Sequence, residues 1–99
     1  MERMMGKDSQ RFESVWEAVE DSPEQAASMR RRSELMLTLR RHIEGWGCTQ
    51  AEAARRLAVT QPRLNDLMRG RIHRFNLEAL IALAERAGFA VRIETERAA

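Results

Sequence analysis

The stretch from Thr49 to Gly70 constrains the fold most, because it carries the start and stop signals of two short helices in succession. Thr49 is a good helix N-cap, and Glu52 follows it at the spacing of a capping box. Thr60 is a second N-cap, and Pro62 lies in the first turn of the helix it begins, where the missing N–H group costs nothing. Gly70 is typical of a residue that ends a helix. The stretch therefore predicts two helices joined by a tight turn, a helix-turn-helix unit.

Two helices of about eight residues each are too short to be stable alone, so the flanking chain is expected to pack against them. Ser22 and Pro23 are typical of a helix start, and no breaker follows before Gly45, which predicts one long helix. Asn76 begins a further helix that Gly88 ends. Apolar residues at helical spacing predict the core: Leu35, Leu39, Ile43 and Trp46, flanked by Met36 and Leu37; Ala53, Ala54 and Leu57; Leu64, Leu67 and Met68; and Leu77, Leu80, Ile81, Leu83 and Ala84.

A short amphipathic segment precedes the long helix. Phe12, Val15, Trp16 and Val19 recur at helical spacing, which predicts one helix between about residues 9 and 20. Its apolar face either packs on the same chain or is offered to a partner protein, and the residues themselves leave both possibilities open.

The C-terminal residues alternate in polarity. Phe89, Val91 and Ile93 are separated by small or charged residues, which predicts a half-buried β-strand. A lone strand leaves its backbone groups unpaired. We therefore expect it to pair with the same strand of a second copy in a homodimer, or with a strand of a partner protein.

These elements predict a mainly α-helical fold, a bundle of about five helices with one C-terminal β-strand. A chain of 99 residues allows one domain with additional terminal segments. We expect a flexible N-terminus with the short amphipathic segment over residues 1–22, the helix-turn-helix domain over residues 23–88, and the strand and tail over residues 89–99.

Positive charge is concentrated on the predicted helix-turn-helix and its flanks. The whole chain has a net charge of +2, yet residues 40–74 carry eight arginines against three carboxylates, a net of +5. Residues 1–22 carry three basic and six acidic side chains. The planar guanidinium group of arginine binds phosphate or guanine in a bidentate way. A solvated charged surface is the alternative, but the coincidence with the motif favours nucleic acid.

Other classes of function find little support in the residues. The single cysteine, Cys48, suits a reducing cytoplasm. No apolar run is long enough for a membrane span, and the N-terminal residues lack the apolar centre of a signal peptide. His42 and His73 belong to no cluster with metal-ligand spacing, and no catalytic set can be placed. We therefore expect no enzymatic activity, no metal and no cofactor.

The stretch TQAEAARRLAVTQPRLNDLMRG resembles the helix-turn-helix of the Cro/repressor-like (XRE) family, which implies a lambda-repressor-like bundle. Over about residues 12–93, the blocks SPEQA, TQAEAA, VTQPRLNDLMRG, FNLEAL and GFAVRI resemble a subgroup of small XRE proteins that includes HigA-type antitoxins. Two positions depart from the family pattern. Ala58 replaces the usual glycine of the turn, and Asn65 replaces a serine.

This resemblance implies a set of DNA contacts. Gln61 would bind adenine and Arg63 guanine in bidentate fashion, while Pro62 would pack against a thymine methyl group. Gln50 could instead be a merely exposed residue, and Arg69 could interact only with the end of its own helix. The implied base contacts are Thr60, Gln61, Pro62, Arg63 and Asp66, and the implied phosphate contacts are Gln50, Asn65, Arg69 and Arg71.

Three functions are compatible with these features. The first is a dimeric repressor that binds a palindromic operator in double-stranded DNA and is also the antitoxin of a toxin–antitoxin pair, regulating its own operon. The second is a stand-alone repressor of phage or plasmid type without a toxin. The third is a protein-interaction module that has lost DNA binding, against which the basic region and the polar second helix argue.

Overall fold

The computed structural model describes residues 22–98, which contain four α-helices and one short 3-10 helix. The chain divides into two compact units, one that ends at Arg30 and one that begins at Arg31, so their boundary falls within the first helix. The predicted helix over residues 9–20 lies outside the described residues. The helices are α1 (Pro23–Glu44), α2 (Gln50–Leu57), α3 (Gln61–Met68), the 3-10 helix Ile72–Arg74, and α4 (Leu77–Arg86).

The described part of the first unit is the beginning of α1. The amide N–H of Gln25 donates to Ser22 Oγ at 3.0 Å, and Pro23 is the first helical residue. Ser22 therefore caps the helix as the sequence predicted, because its hydroxyl accepts one of the N–H groups that no helical carbonyl can reach.

In the second unit, the later part of α1 packs with α2, α3 and α4 around one apolar core. The predicted stripes form this core with small shifts: Met36 is buried, Leu35 is only partly buried, and Leu37 is exposed. Phe75 and Leu80, at the spacing of a hydrophobic staple around the cap Asn76, are both buried. The buried residues are Met36, Leu39, Ile43, Ala53, Ala54, Leu57, Leu64, Leu67, Phe75, Leu80, Leu83, Ala84 and Ala87.

The predicted caps of α2 and α3 are confirmed. The N–H of Glu52 donates to Thr49 Oγ1 at 3.1 Å, and the N–H of Thr49 donates to Glu52 Oε1 at 3.2 Å, which completes the capping box. At the start of α3, the N–H of Arg63 donates to Thr60 Oγ1 at 3.2 Å. These bonds fix where the two short helices begin.

The turn between α2 and α3 passes through a left-handed alanine. Ala58 has φ 57° and ψ 44°, and its N–H donates to Arg55 O at 3.1 Å. Arg86 of α4 closes the same helix end, since its Nη1 donates to Leu57 O at 3.1 Å. The turn is thus formed without the glycine usual at this position, at a steric cost of about 1–2 kcal/mol.

The C-terminal segment differs from the prediction. Over residues 89–98 the backbone forms no strand, because no second strand exists within residues 22–98 to supply ladder partners. Phe89 is half-buried, with its ring centroid 4.6 Å from that of His42, and Val91 is also partly buried against the core. Ile93 is 76% exposed. The predicted β-strand is therefore not formed within this single chain.

Replacing Ala58 by glycine is expected to raise the free energy of unfolding by about 1 kcal/mol, because glycine adopts positive φ without a steric cost. Ala58 is exposed, so no core contact is lost. Urea denaturation followed by circular dichroism measures the difference. The matched control is Ala82→Gly inside α4, where glycine is expected to lower stability by about 1 kcal/mol or more. A destabilised Ala58→Gly protein would contradict the strain assigned to this turn.

Candidate nucleic-acid interface

The helix α3 presents a polar face on the side away from the core. Leu64 and Leu67 are buried and define its inner face. Because successive residues turn by about 100°, the outer face is formed by residues close to the direction opposite these leucines. It consists of Gln61, Pro62, Asn65, Asp66 and Arg69, of which Gln61, Pro62 and Arg69 are exposed and Asn65 and Asp66 are partly buried.

Arg63 lies at the edge of this face and is engaged within the chain. Its guanidinium carbon is 3.9 Å from the ring centroid of the buried Phe75. Its Nη1 donates to Arg74 O at 2.8 Å. Both partners follow α3 in the sequence, so Arg63 ties the helix to the next segment. A guanidinium has five N–H donors, and a base contact would use those that remain.

Asp66 is paired with two arginines of the segment that follows α3. Its Oδ1 accepts from Arg71 Nη1 at 3.0 Å, and its Oδ2 accepts from Arg74 Nη1 at 3.4 Å. The Asp66 side chain is 14% exposed, whereas those of Arg71 and Arg74 are 43% and 60% exposed. The carboxylate is therefore covered by its partners, and the guanidinium groups face solvent.

The segment between these two arginines is also held from α1. Arg32 Nη1 donates to Ile72 O at 3.2 Å and to Phe75 O at 3.4 Å. These carbonyls lie at the start and just beyond the end of the 3-10 helix, and the carbonyl of Ile72 also accepts the N–H of Phe75 at 3.2 Å. The basic segment from Arg71 to Arg74 is consequently held in place by hydrogen bonds from α1.

Gly70 ends α3 as the sequence predicted. It has φ +73°, and the N–H of Arg71 donates to Asp66 O at 3.0 Å, which closes the helix end. A Cβ atom at Gly70 would lie 3.1 Å from Nη1 of Arg40, whose Nε is buried without a hydrogen-bond partner in the described part of the chain. Both the backbone angle and the close guanidinium of Arg40 therefore favour glycine.

The helix α2 contributes further exposed polar residues. Gln50 is its exposed first residue, and Arg55 and Arg56 are exposed in its last turn. The guanidinium carbon of Arg56 is 3.7 Å from the ring centroid of Trp46, which is a favourable cation–π distance. Trp46 is partly buried against the core, where it was predicted to lie.

The residues predicted to contact DNA thus fall on neighbouring elements. They belong to α3 with its caps Thr60 and Arg69, to the turn after α3 through Arg71, and to the start of α2 through Gln50. Two arginines close to them, Arg74 and Arg32, were not predicted as site residues. Arg74 had no signal beyond belonging to a basic run. The contact of Arg32 spans 40 positions, and no local sequence pattern indicates such a pair.

Within residues 22–98, no group of three His, Cys, Asp or Glu side chains is placed to hold a metal ion. Cys48 is an exposed free thiol. No helix in this range is both long enough and apolar enough to cross a membrane.

The sequence profile of the helix-turn-helix domain family matches residues 18–96, a range that includes all four described α-helices. The chain belongs to this family. Membership of the helix-turn-helix family is consistent with the resemblance to Cro/repressor-like proteins, and it does not select the HigA-type subgroup. No curated protein matches this helix-turn-helix chain.

Proposed function

We propose that this helix-turn-helix protein is a sequence-specific DNA-binding transcriptional regulator that acts as a repressor. The observation that carries the proposal is the polar outer face of α3, a helix that is capped by Thr60 and anchored in the core by Leu64 and Leu67. A helix of this kind enters the major groove with its N-terminal residues at the base edges.

Base recognition is assigned first to the exposed start of α3. Gln61 has the amide group that binds adenine in bidentate fashion, and Pro62 offers an apolar surface to a thymine methyl group. Thr60 is exposed, and its hydroxyl can donate to a base while its oxygen accepts the capping bond. Arg63 remains a candidate base contact by position, although it donates to Arg74 O. Both oxygens of Asp66, the other predicted base contact, are bound by arginines within the chain.

Phosphate contacts are assigned to the polar residues that surround this start. Gln50 lies at the N-terminus of α2, and Arg69 and Arg71 follow α3 with exposed side chains. Asn65 completes the set on the outer face. Such contacts set the register of the protein on the duplex and make affinity depend on salt.

Replacing Gln61 by alanine is expected to weaken binding roughly 10-fold to a duplex that the wild-type chain selects from a random library. The lost affinity should come from one base pair of the duplex. Replacing that base pair should therefore no longer change the affinity of the variant. The control Gln25→Ala replaces an exposed glutamine at the start of α1 and should leave affinity unchanged. Titrations monitored by fluorescence anisotropy measure both variants. If Gln61→Ala bound the selected duplex with the affinity of the wild-type chain, direct readout by this residue would be contradicted.

We propose further that the regulator binds as a homodimer through Phe89, Val91 and Ile93. The largely exposed Ile93 and the alternating polarity around it support pairing with the same segment of a second copy. A two-fold axis would place two α3 helices in successive major grooves about 34 Å apart and would match a palindromic operator.

Replacing Ile93 by aspartate is expected to convert the dimer to a monomer, because a charge would be placed in the paired apolar face. The control Ala90→Asp places the same charge at an exposed residue of opposite parity and should keep the dimer. Sedimentation velocity at equal concentrations compares the two. A dimeric Ile93→Asp protein would contradict pairing through this segment.

The resemblance to HigA-type antitoxins supports a second role, in which the regulator neutralises a toxin and represses its own operon. This role would be exercised in the cytoplasm. A stand-alone repressor of phage or plasmid type has the same DNA mechanism and no toxin partner. A protein-interaction module without DNA binding is disfavoured by the basic residues around α3.

Expression of the neighbouring reading frame alone is expected to arrest growth, and co-expression of this chain is expected to restore it. The Gln61→Ala variant should also restore growth, because the proposed base contact is not needed to bind a toxin. Growth curves under separate inducible promoters measure both effects. A neighbour that is harmless alone would favour the stand-alone repressor.

A further inference from the structure

A carboxylate on the outer face of α3 is repelled by phosphate unless it is paired. Asp66 is such a carboxylate, and each of its oxygens is bound by a different arginine. We infer that Asp66 is a positioning residue for a two-arginine phosphate clamp, in which Arg71 and Arg74 bind the DNA backbone. The inference rests on the proposed DNA binding and assigns Arg74 a role that the sequence did not indicate.

Arg71 is held by Asp66 at both its backbone and its side chain. Its N–H donates to Asp66 O at 3.0 Å as part of the turn that ends α3. Its Nη1 donates to Asp66 Oδ1 at 3.0 Å. The guanidinium therefore has a fixed location relative to α3. Because its rotamer is already restricted, the side chain loses less conformational entropy when it binds a phosphate.

Arg74 is held in a comparable way by two residues of α3. Its carbonyl accepts from Arg63 Nη1 at 2.8 Å, and its own Nη1 donates to Asp66 Oδ2 at 3.4 Å. Arg32 binds the carbonyls of Ile72 and Phe75 on either side. The backbone that carries Arg74 is therefore fixed before any ligand arrives.

Exposure separates the roles within this group. The Asp66 side chain is 14% exposed and has both oxygens occupied, so it is poorly placed to accept from the amino group of a cytosine. The side chains of Arg71 and Arg74 are 43% and 60% exposed, several times more than that of Asp66. Each guanidinium keeps N–H donors beyond the one that Asp66 binds. Two arginines and one carboxylate leave a net positive charge, which suits a phosphate diester.

The test compares binding to two duplexes of equal length over a series of salt concentrations. One duplex is selected by the wild-type chain from a random library, and the other has a mixed sequence. Asp66→Asn retains the side-chain shape and removes the charge. We expect roughly 10-fold weaker binding to both duplexes, because the clamp loses its order and phosphate contacts do not depend on the base sequence.

The same substitution is then made in a protein that already carries Arg71→Gln and Arg74→Gln. There Asp66 has lost both partners and should only repel phosphate. Asp66→Asn is therefore expected to tighten binding to both duplexes in this background. A general loss of structure would weaken binding in both backgrounds. If Asp66→Asn weakens binding in the wild-type chain and tightens it in the double variant, Asp66 therefore acts by positioning the arginines and not by stabilising the fold.

Arg74→Gln alone provides an independent measurement. It should lower the slope of log affinity against log salt concentration by about one, because one phosphate contact is lost. The control is Arg92→Gln, which replaces another exposed arginine with a carboxylate partner, Glu94, outside the motif. Its slope should equal that of the wild-type chain. Because Arg74 is exposed, this variant keeps the test decisive even where Asp66→Asn fails to fold.

Three results would overturn the clamp. The first is a loss in Asp66→Asn that is confined to one base pair, since Asp66 would then read a base. The second is the same sign of effect in both backgrounds, and the third is an unchanged salt slope for Arg74→Gln. If the wild-type chain bound neither duplex, the proposed function itself would be overturned, and the clamp with it. This outcome is seen before any variant is made.

Discussion

Burial of α2 and α3 in a shared core is the constraint on which the remaining structure depends. Each helix has eight residues, fewer than the roughly 12–15 that an isolated helix needs. Leu57, Leu64 and Leu67 are fully buried, and burial of one leucine stabilises by about 1.5–3 kcal/mol. The later part of α1 and the helix α4 complete the core that receives these leucines. The outer face of α3 is therefore free to carry polar residues that contribute little to stability.

The arginines of this domain divide into two groups with different tasks. Arg32, Arg63 and Arg86 donate to backbone carbonyls and join elements that are distant in the sequence. Arg69 and Arg71 have exposed side chains beside the outer face of α3. Some arginines of the basic region therefore stabilise the fold, and others have side chains at the surface. The density of positive charge by itself indicates an affinity for phosphate. The hydrogen-bond partners are needed to distinguish the arginines that can bind a ligand from those that stabilise the fold.

The ends of the helices illustrate how local strain is accommodated. Ala58 adopts the left-handed angles that the turn requires, and a side chain from α4, Arg86, donates to the carbonyls of the same helix end. Gly70 also has a positive φ, +73°, and lies beside the guanidinium of Arg40. The first turn bears a steric cost that the second avoids. Both direct the chain into the next element at a defined angle, which sets where α3 and the turn after it lie.

The sequence by itself determined the helices and their limits, because caps join residues three positions apart and apolar stripes repeat with the period of the helix. Thr49, Thr60 and Asn76 cap helices where their residue types predicted. Only the tertiary structure decided which side chains of the outer face are free, since Arg63 and Asp66 find their partners through the packing of the segment after α3. The predicted strand that contains Phe89, Val91 and Ile93 has no partner within residues 22–98, because strand pairing needs a second strand that no local pattern can supply.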